Sequence, residues 1–210
     1  FGAGEVCGQW RHAAVRARQQ ALAIHVSRRL DDVVCDFIRR LELAEQHLRK
    51  YLEAHPDNAH ARKLLATVLI QQGQISEASA IIDPMLAQNK DDVQLLAIAG
   101  EAAMQVRDFD KAASYFEQAS KLQPKAAALR TSLAMSKLAQ GDSESAINDL
   151  ELSTSLDNTS PKAGVLLVLT EMRMKRNDKA LAAVKALETS QPKDPMVQNL
   201  KGGVYLNLKD

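Results

Sequence analysis

Asp108-Phe109-Asp110-Lys111-Ala112-Ala113-Ser114-Tyr115-Phe116-Glu117-Gln118-Ala119 is the stretch from which the fold can be read. It sets a small residue, Ala112, one helical turn before a bulky one, Phe116, and Pro124 follows twelve residues after the alanine. Moving this frame along the chain in steps of 34 residues finds alanine again at Ala44, Ala78, Ala146 and Ala180. Four residues after each stands Leu48, Ile82, Leu150 or Val184. Twelve after, proline returns as Pro56 and Pro192, with Lys90 and Asn158 in the other two cycles. Five before each alanine lies Gly73 or Gly141, replaced elsewhere by Arg39, Arg107 and Lys175. Twelve before, a small residue recurs as Ala66, Gly100, Ala134 and Gly202, with Val168 and Asp32 as exceptions. Alanine is common, so it is the agreement of all these positions that makes the repeat.

The pattern describes two antiparallel helices per cycle. The small residue of the first helix and the anchor alanine of the second let the backbones approach, and the bulky residue one turn later fills the remaining gap. Proline stops the second helix because it has no N–H and clashes with the preceding turn. Gly73-Gln74 and Gly141-Asp142 supply the tight turn between helices, and Ser76, Asp110 and Ser143 are the expected N-caps of the second helices. A helix–turn–helix unit of this period resembles the tetratricopeptide (TPR) repeat. That resemblance implies an all-α, right-handed superhelix of antiparallel pairs, about five repeats over 41–210 with the last one truncated. The helical pattern of Val204–Asp210 breaks off where a partner helix is due, so the array is expected to continue beyond this sequence.

A second, narrower resemblance rests on Lys63–Gln74, on Ile81-Ile82-Asp83-Pro84-Met85-Leu86, on Asp108–Ala119 and on Asp149-Leu150-Glu151. These segments are similar to the PrsT family, the large TPR-repeat lipoproteins of the PEP-CTERM/exosortase system. The most particular element is Pro84, a proline inside a second helix, where a missing N–H should open one backbone bond and kink or restart the helix near Asp83. The resemblance implies a bacterial envelope protein in the periplasm or on an outer-membrane face, held by a lipid anchor upstream of this sequence and serving exopolysaccharide production and protein sorting. A cytoplasmic TPR adaptor, or a co-chaperone-like protein in an unrelated complex, is the alternative.

Residues 1–40 depart from the repeat. Counting back 34 from Ala44 lands on Trp10, and the stretch holds both cysteines and seven arginines. A helix over Gln9–Val26 covering the end of the stack, and the first helix of the opening cycle over Ser27–Arg39 with Leu30, Val33, Val34, Phe37 and Ile38 on its buried side, are expected, and sequence foreign to the family is the other reading. Cys7 and Cys35 have no Cys-x-x-Cys unit, which leaves a disulfide or two separate thiols open.

Composition narrows the function. Across 210 residues, 27 Lys and Arg balance 26 Asp and Glu, so no strong basic field is available to hold a nucleic-acid backbone. No apolar run is long enough to span a bilayer. No phosphate loop, nucleophile elbow or His-Glu-x-x-His motif stands in the chain, and catalytic residues, metal and cofactor are all expected to be absent. His47, His55 and His60 gather around Pro56 but read as solvated loop residues.

Function is then expected on the concave face lined by the first helices, at positions 18, 15, 14, 11, 8 and 7 before each anchor. These are His60, Lys63, Leu64, Thr67, Ile70 and Gln71; Gln94, Ala97, Ile98, Glu101, Met104 and Gln105; Ala128, Thr131, Ser132, Met135, Leu138 and Ala139; and Lys162, Val165, Leu166, Leu169, Met172 and Arg173. The mixed, methionine-bearing surface suits an extended peptide or a partner helix. The binding set expected to meet a partner is His60, Lys63, Thr67, Gln71, Gln94, Glu101, Met104, Gln105, Thr131, Met135, Lys162, Leu169 and Arg173. A clamp for a terminal carboxylate is missing, because Lys63 is followed by Thr67, Ile98, Ala128 and Ser132 where amides and cations are needed. Aromatics form only 4% of the chain, which disfavours a sugar site.

Overall fold

A computed structural model describes residues 35–208, and every described element is helical. Helix α1 covers 35–54. It is followed by α2 (Ala59–Gln71), α3 (Ile75–Gln88), α4 (Val93–Gln105), α5 (Phe109–Leu122), α6 (Ala127–Gln140), α7 (Ser143–Leu156), α8 (Pro161–Arg173), α9 (Asn177–Ser190) and α10 (Pro195–Asn207). Consecutive helices pack on one another, α2 also touches α4, and α8 touches α10, so the hairpins stack side by side into a solenoid.

The packing rule inferred from sequence is the one the core follows. Ala78, Ala112, Ala146 and Ala180 have no exposed surface, and Ile82, Phe116, Leu150 and Val184 are buried one turn beyond them. The approach is tightest at Gly100, where an added Cβ would lie 2.7 Å from the tip of the Phe116 ring. Gly164, outside the expected pattern, makes a similar slot, with Leu187 Cδ1 2.9 Å from an added Cβ.

The turns before the second helices need left-handed backbone at Gly73, Arg107, Gly141 and Lys175, with φ of 77°, 62°, 89° and 58°. Glycine enters this region freely; arginine and lysine enter it at a cost of roughly 1–2 kcal/mol each, which the packed hairpin offsets. The caps follow at once. Asp108 accepts from the Lys111 N–H and Asp142 from the Ser145 N–H. The expected caps therefore sit too late: Ser76, Asp110 and Ser143 already lie in the first helical turns. The left-handed residue reverses the chain in a single step, which leaves the next residue as cap. Prolines 56, 124 and 192 stand one residue beyond the C-cap positions His55, Gln123 and Gln191, and the cycles with Lys90 and Asn158 end in the same phase.

Several expectations fail at the ends, and the restart expected near Pro84 does not occur. Helix α1 runs unbroken through Arg39, so the turn expected there does not form. Asp36 and Arg40 pair one helical turn apart, and no glycine or aspartate cap interrupts them. Ala44 is only half-buried, and Phe37 and Ile38 are exposed by 54% and 48%, because among the described residues no first helix precedes α1 to pack on its other side. Gly202 is likewise open, with nothing within 4 Å of an added Cβ. The expected helix over Gln9–Val26, most of that over Ser27–Arg39, and Trp10, Leu30, Val33, Val34 and Cys7 lie outside the described residues; Cys35 is exposed. Helix α3 continues from Ile75 to Gln88 with Pro84 inside it and does not restart. Ala80 and Pro84 both face solvent, so the carbonyl deprived of a partner can bond water, while Ile82 and Met85 on the opposite face are buried.

Polar contacts tie neighbouring cycles across nearly one repeat length. Gln140 donates to Asp110 Oδ1 at 2.8 Å, Gln191 to the Thr159 carbonyl at 2.8 Å, and Asn177 to the Asn207 carbonyl at 2.9 Å. Asp149, 6% exposed, receives Arg130 at 3.1 Å and Lys137 at 2.6 Å, joining α6 to α7. Glu171 is less well served: it is 1% exposed, its Oε2 has no hydrogen-bond partner, and Arg176 approaches only to 3.9 Å. Desolvation pushes its carboxyl above the ordinary glutamate value, with Glu151 and Glu144 adding to the effect and Lys179 and Arg176 opposing it.

Two tests follow from this packing. Gly100→Ala should lower stability, because overpacking against Phe116 costs about 1–3 kcal/mol, while Gly202→Ala should raise it by up to about 1 kcal/mol through helix propensity alone; urea midpoints of the two variants should move in opposite directions. For Glu171 the fold prefers the protonated form, so the linked stability is present below the ordinary glutamate pKa and lost as pH rises through the raised one. Glu171→Leu, which copies the buried Leu69 of an earlier cycle, should melt higher than the parent at pH 7, and the gain should shrink as pH falls toward about 4.

Candidate functional site

The first helices α2, α4, α6 and α8 converge on one cavity of about 270 Å³. Ile70 and Gln71 come from α2, Glu101, Met104 and Gln105 from α4, Ser132 and Met135 from α6, and Lys162 from α8. Phe116 of α5 completes the lining. Four different helices supply the surface because each repeat presents the same helical face, and stacking sets those faces side by side. The floor is apolar, with Ile70 and Phe116 buried and Met104 and Met135 half-buried. The rim carries two glutamine amides, one carboxylate and one ammonium.

Phe116 is the one lining residue that sequence reasoning assigned wholly to the core. Its signal was present in Gly100: with no side chain there, the ring of the second helix comes up to the backbone of the first.

The thirteen expected binding residues divide by what already occupies their polar groups. Gln71, Glu101, Met104, Gln105, Met135 and Lys162 line the cavity. Lys63 does not offer a free charge: its ammonium bonds Asp92 at 2.5 Å and Gln94 at 3.2 Å, bridging α2 to the start of α4. Burial works against the Asp92 carboxylate, but the Lys63 hydrogen bond and the Leu95 and Gln94 amides outweigh it and hold its pKa below the usual range. Arg173 donates to Ser143 Oγ at 2.8 Å. Thr67 is half-buried and donates to its own helix at the Lys63 carbonyl, 3.0 Å away. Thr131 leaves the accessible set: it is 6% exposed, its hydroxyl lies 2.8 Å from that of Ser153, and both reach the Ala127 carbonyl. His60, Gln94 and Leu169 are exposed but stand away from the cavity.

Glu101 and Lys162 differ from these. Among the described residues neither makes a hydrogen bond or a close ion pair. The Glu101 side chain still meets solvent, yet the concave walls remove enough water around it to push its carboxyl upward, with the charge of Lys162 pulling the other way. No group of His, Cys, Asp and Glu among the described residues is arranged to hold a metal ion, and His55 instead stacks on Tyr51 with ring centroids 4.7 Å apart. No described helix is long and apolar enough to cross a membrane.

Residues 39–100 and 137–203 match one tetratricopeptide repeat family, and residues 99–161 match another. The chain belongs to the tetratricopeptide repeat family. No curated protein matches its sequence. Solved TPR structures share the fold at low identity. A thermophilic TPR protein of Thermus thermophilus superposes with a TM-score of 0.66 and 19% identity, over 83% of this chain and 95% of its own. MamA gives 0.65 and 18%, over 73% and 90%. YrrB, described as a TPR protein with an unusual peptide-binding site, gives 0.62 and 17%, over 77% and 84%.

The two lysines of the groove should separate structure from binding. Lys63→Ala breaks a half-buried bridge between repeats and should cost about 1 kcal/mol, whereas Lys162→Ala should stay within about 0.5 kcal/mol of the parent. Thermal melts of both variants, read beside the parent, check the contrast.

Proposed function

We propose that this TPR chain is a scaffold that holds an extended segment of a protein partner in its concave groove. TPR proteins act as protein-interaction scaffolds, and their fold is typically non-enzymatic. The observation that carries the proposal for this chain is the cavity where four first helices meet, an apolar floor of Ile70, Met104, Phe116 and Met135 ringed by Gln71, Gln105, Glu101 and Lys162. At about 270 Å³ and open to one side, it has room for an apolar side chain of a longer ligand. Glutamine amides on the rim can pair with the donors and acceptors of a peptide backbone. The peptide-binding site of YrrB, on a related fold, agrees with this use of a TPR surface.

For the biological setting we propose the bacterial envelope, in exopolysaccharide production and protein sorting. The support is the resemblance of Asp83-Pro84-Met85-Leu86 and its companion segments to the PEP-CTERM-system lipoproteins, including Pro84 within an otherwise continuous helix. A lipid anchor upstream of this sequence belongs to the same proposal.

The test replaces Glu101, Gln105 and Met135 together by arginine and compares capture of the partner with that of a control carrying arginine at Asp83, Glu117 and Glu151, exposed sites on second helices. The groove variant should lose at least about tenfold in affinity, as loss of a central contact cluster does, while the control binds as the parent does. The partner should come from an envelope extract and not from a cytosolic one. Equal binding by a folded groove variant ends the groove reading, and capture from cytosol alone ends the envelope setting.

A further inference from the structure

The charges that line the groove are already spent, with two exceptions. Lys63 is held by Asp92 and Gln94, and Arg173 by Ser143. Glu101 and Lys162 alone combine a place on the cavity rim with a full charge, and among the described residues nothing hydrogen-bonds to either. They come from α4 and α8, so α6 lies between them and its Met135 and Ser132 form the part of the cavity that they flank.

A carboxylate in this position has lost part of its water without gaining a donor, and a ligand that brings a cation recovers that loss. A purely apolar ligand would deepen the desolvation of Glu101 and is disfavoured for that reason. An anionic ligand would gain from Lys162 but would leave the Glu101 carboxylate without a donor. A segment carrying a cation beside its apolar side chain satisfies both the floor and the rim. Extended backbone places neighbouring side chains within reach of this geometry, since successive residues rise about 3.3 Å.

Building on the groove reading above, we propose that the partner segment is an extended peptide in which a lysine or arginine lies within two residues of a leucine, methionine or phenylalanine. The apolar side chain enters between Met104 and Met135, the cation pairs with Glu101, and Gln71 and Gln105 bond the peptide backbone. Lys162 then sets polarity: it accepts an acidic group on the far side of the apolar residue and repels a second cation there. The feature distinguishes this chain's groove from one that merely accepts helices or peptides by shape, because a single charge pair across one cavity reads both sequence and direction.

The test displays random heptapeptides against the immobilised 210-residue chain and sequences what is retained. The expected result is enrichment of Lys or Arg within two residues of Leu, Met or Phe. A synthetic peptide so selected should bind Glu101→Gln about tenfold more weakly, the scale of a lost charge-assisted contact, and Glu101→Lys should turn the selection toward acidic peptides. Circular dichroism of both variants establishes that they remain helical. Enriched peptides without a basic residue, still lost on Met135→Arg, would overturn the charge rule and leave the peptide groove standing. No enrichment on the folded chain, or enrichment untouched by Met135→Arg, would overturn both.

Discussion

Everything in this solenoid depends on how closely the two helices of a hairpin approach. At Gly100 the backbone of α4 lies so near α5 that the Phe116 ring occupies the space of a side chain. Ala78, Ala112, Ala146 and Ala180 keep the same spacing from the other side with no surface left exposed. Small residues alone would leave voids and large ones would force the helices apart; the pairing of a slot with a knob one turn later fills the interior at protein density. Because the spacing repeats, the first helices stay in register along the array, and four of them can share one cavity.

Backbone geometry and charge serve that spacing. A left-handed residue at 73, 107, 141 and 175 reverses the chain in the least length, and where arginine or lysine occupies it, packing offsets the conformational cost. Lys63 to Asp92 and Gln140 to Asp110 then fasten one cycle to the next. Glu171 is the exception, a buried carboxylate with an unbonded oxygen at a position where an earlier cycle places Leu69. The structure tolerates it with Arg176 and Lys179 nearby but gains no direct hydrogen bond from them.

Most of the groove was legible in advance. Helical phase put Ile70, Gln71, Glu101, Met104, Gln105, Ser132, Met135 and Lys162 on one face, and all eight line the cavity. The same phase also selected Thr131, Lys63 and Arg173, whose polar atoms are taken up inside the fold. Phase gives a direction around one helix axis; it carries no information about which neighbouring helix supplies a donor or acceptor. Phe116 escaped for a related reason, since its ring lies against Gly100 on another helix and lines the cavity beside residues of four others.

The sequence by itself determined the period, the helix pairing and the family, because the slot, knob, turn and stop recur at fixed steps and each has a local physical cause. It also determined which face of each first helix looks into the groove. Only the tertiary structure decided where the second helices begin, that α3 passes unbroken through Pro84, and that among the described residues Ala44 and Gly202 lack the neighbours their counterparts have. It alone decided that, among the described residues, Glu101 and Lys162 keep their charges unspent while Lys63 does not. The physical reason is that hydrogen bonds between repeats join residues about 30 positions apart, and whether such a bond closes is fixed by side-chain reach across a packed interface, to a few tenths of an ångström, which no linear pattern records.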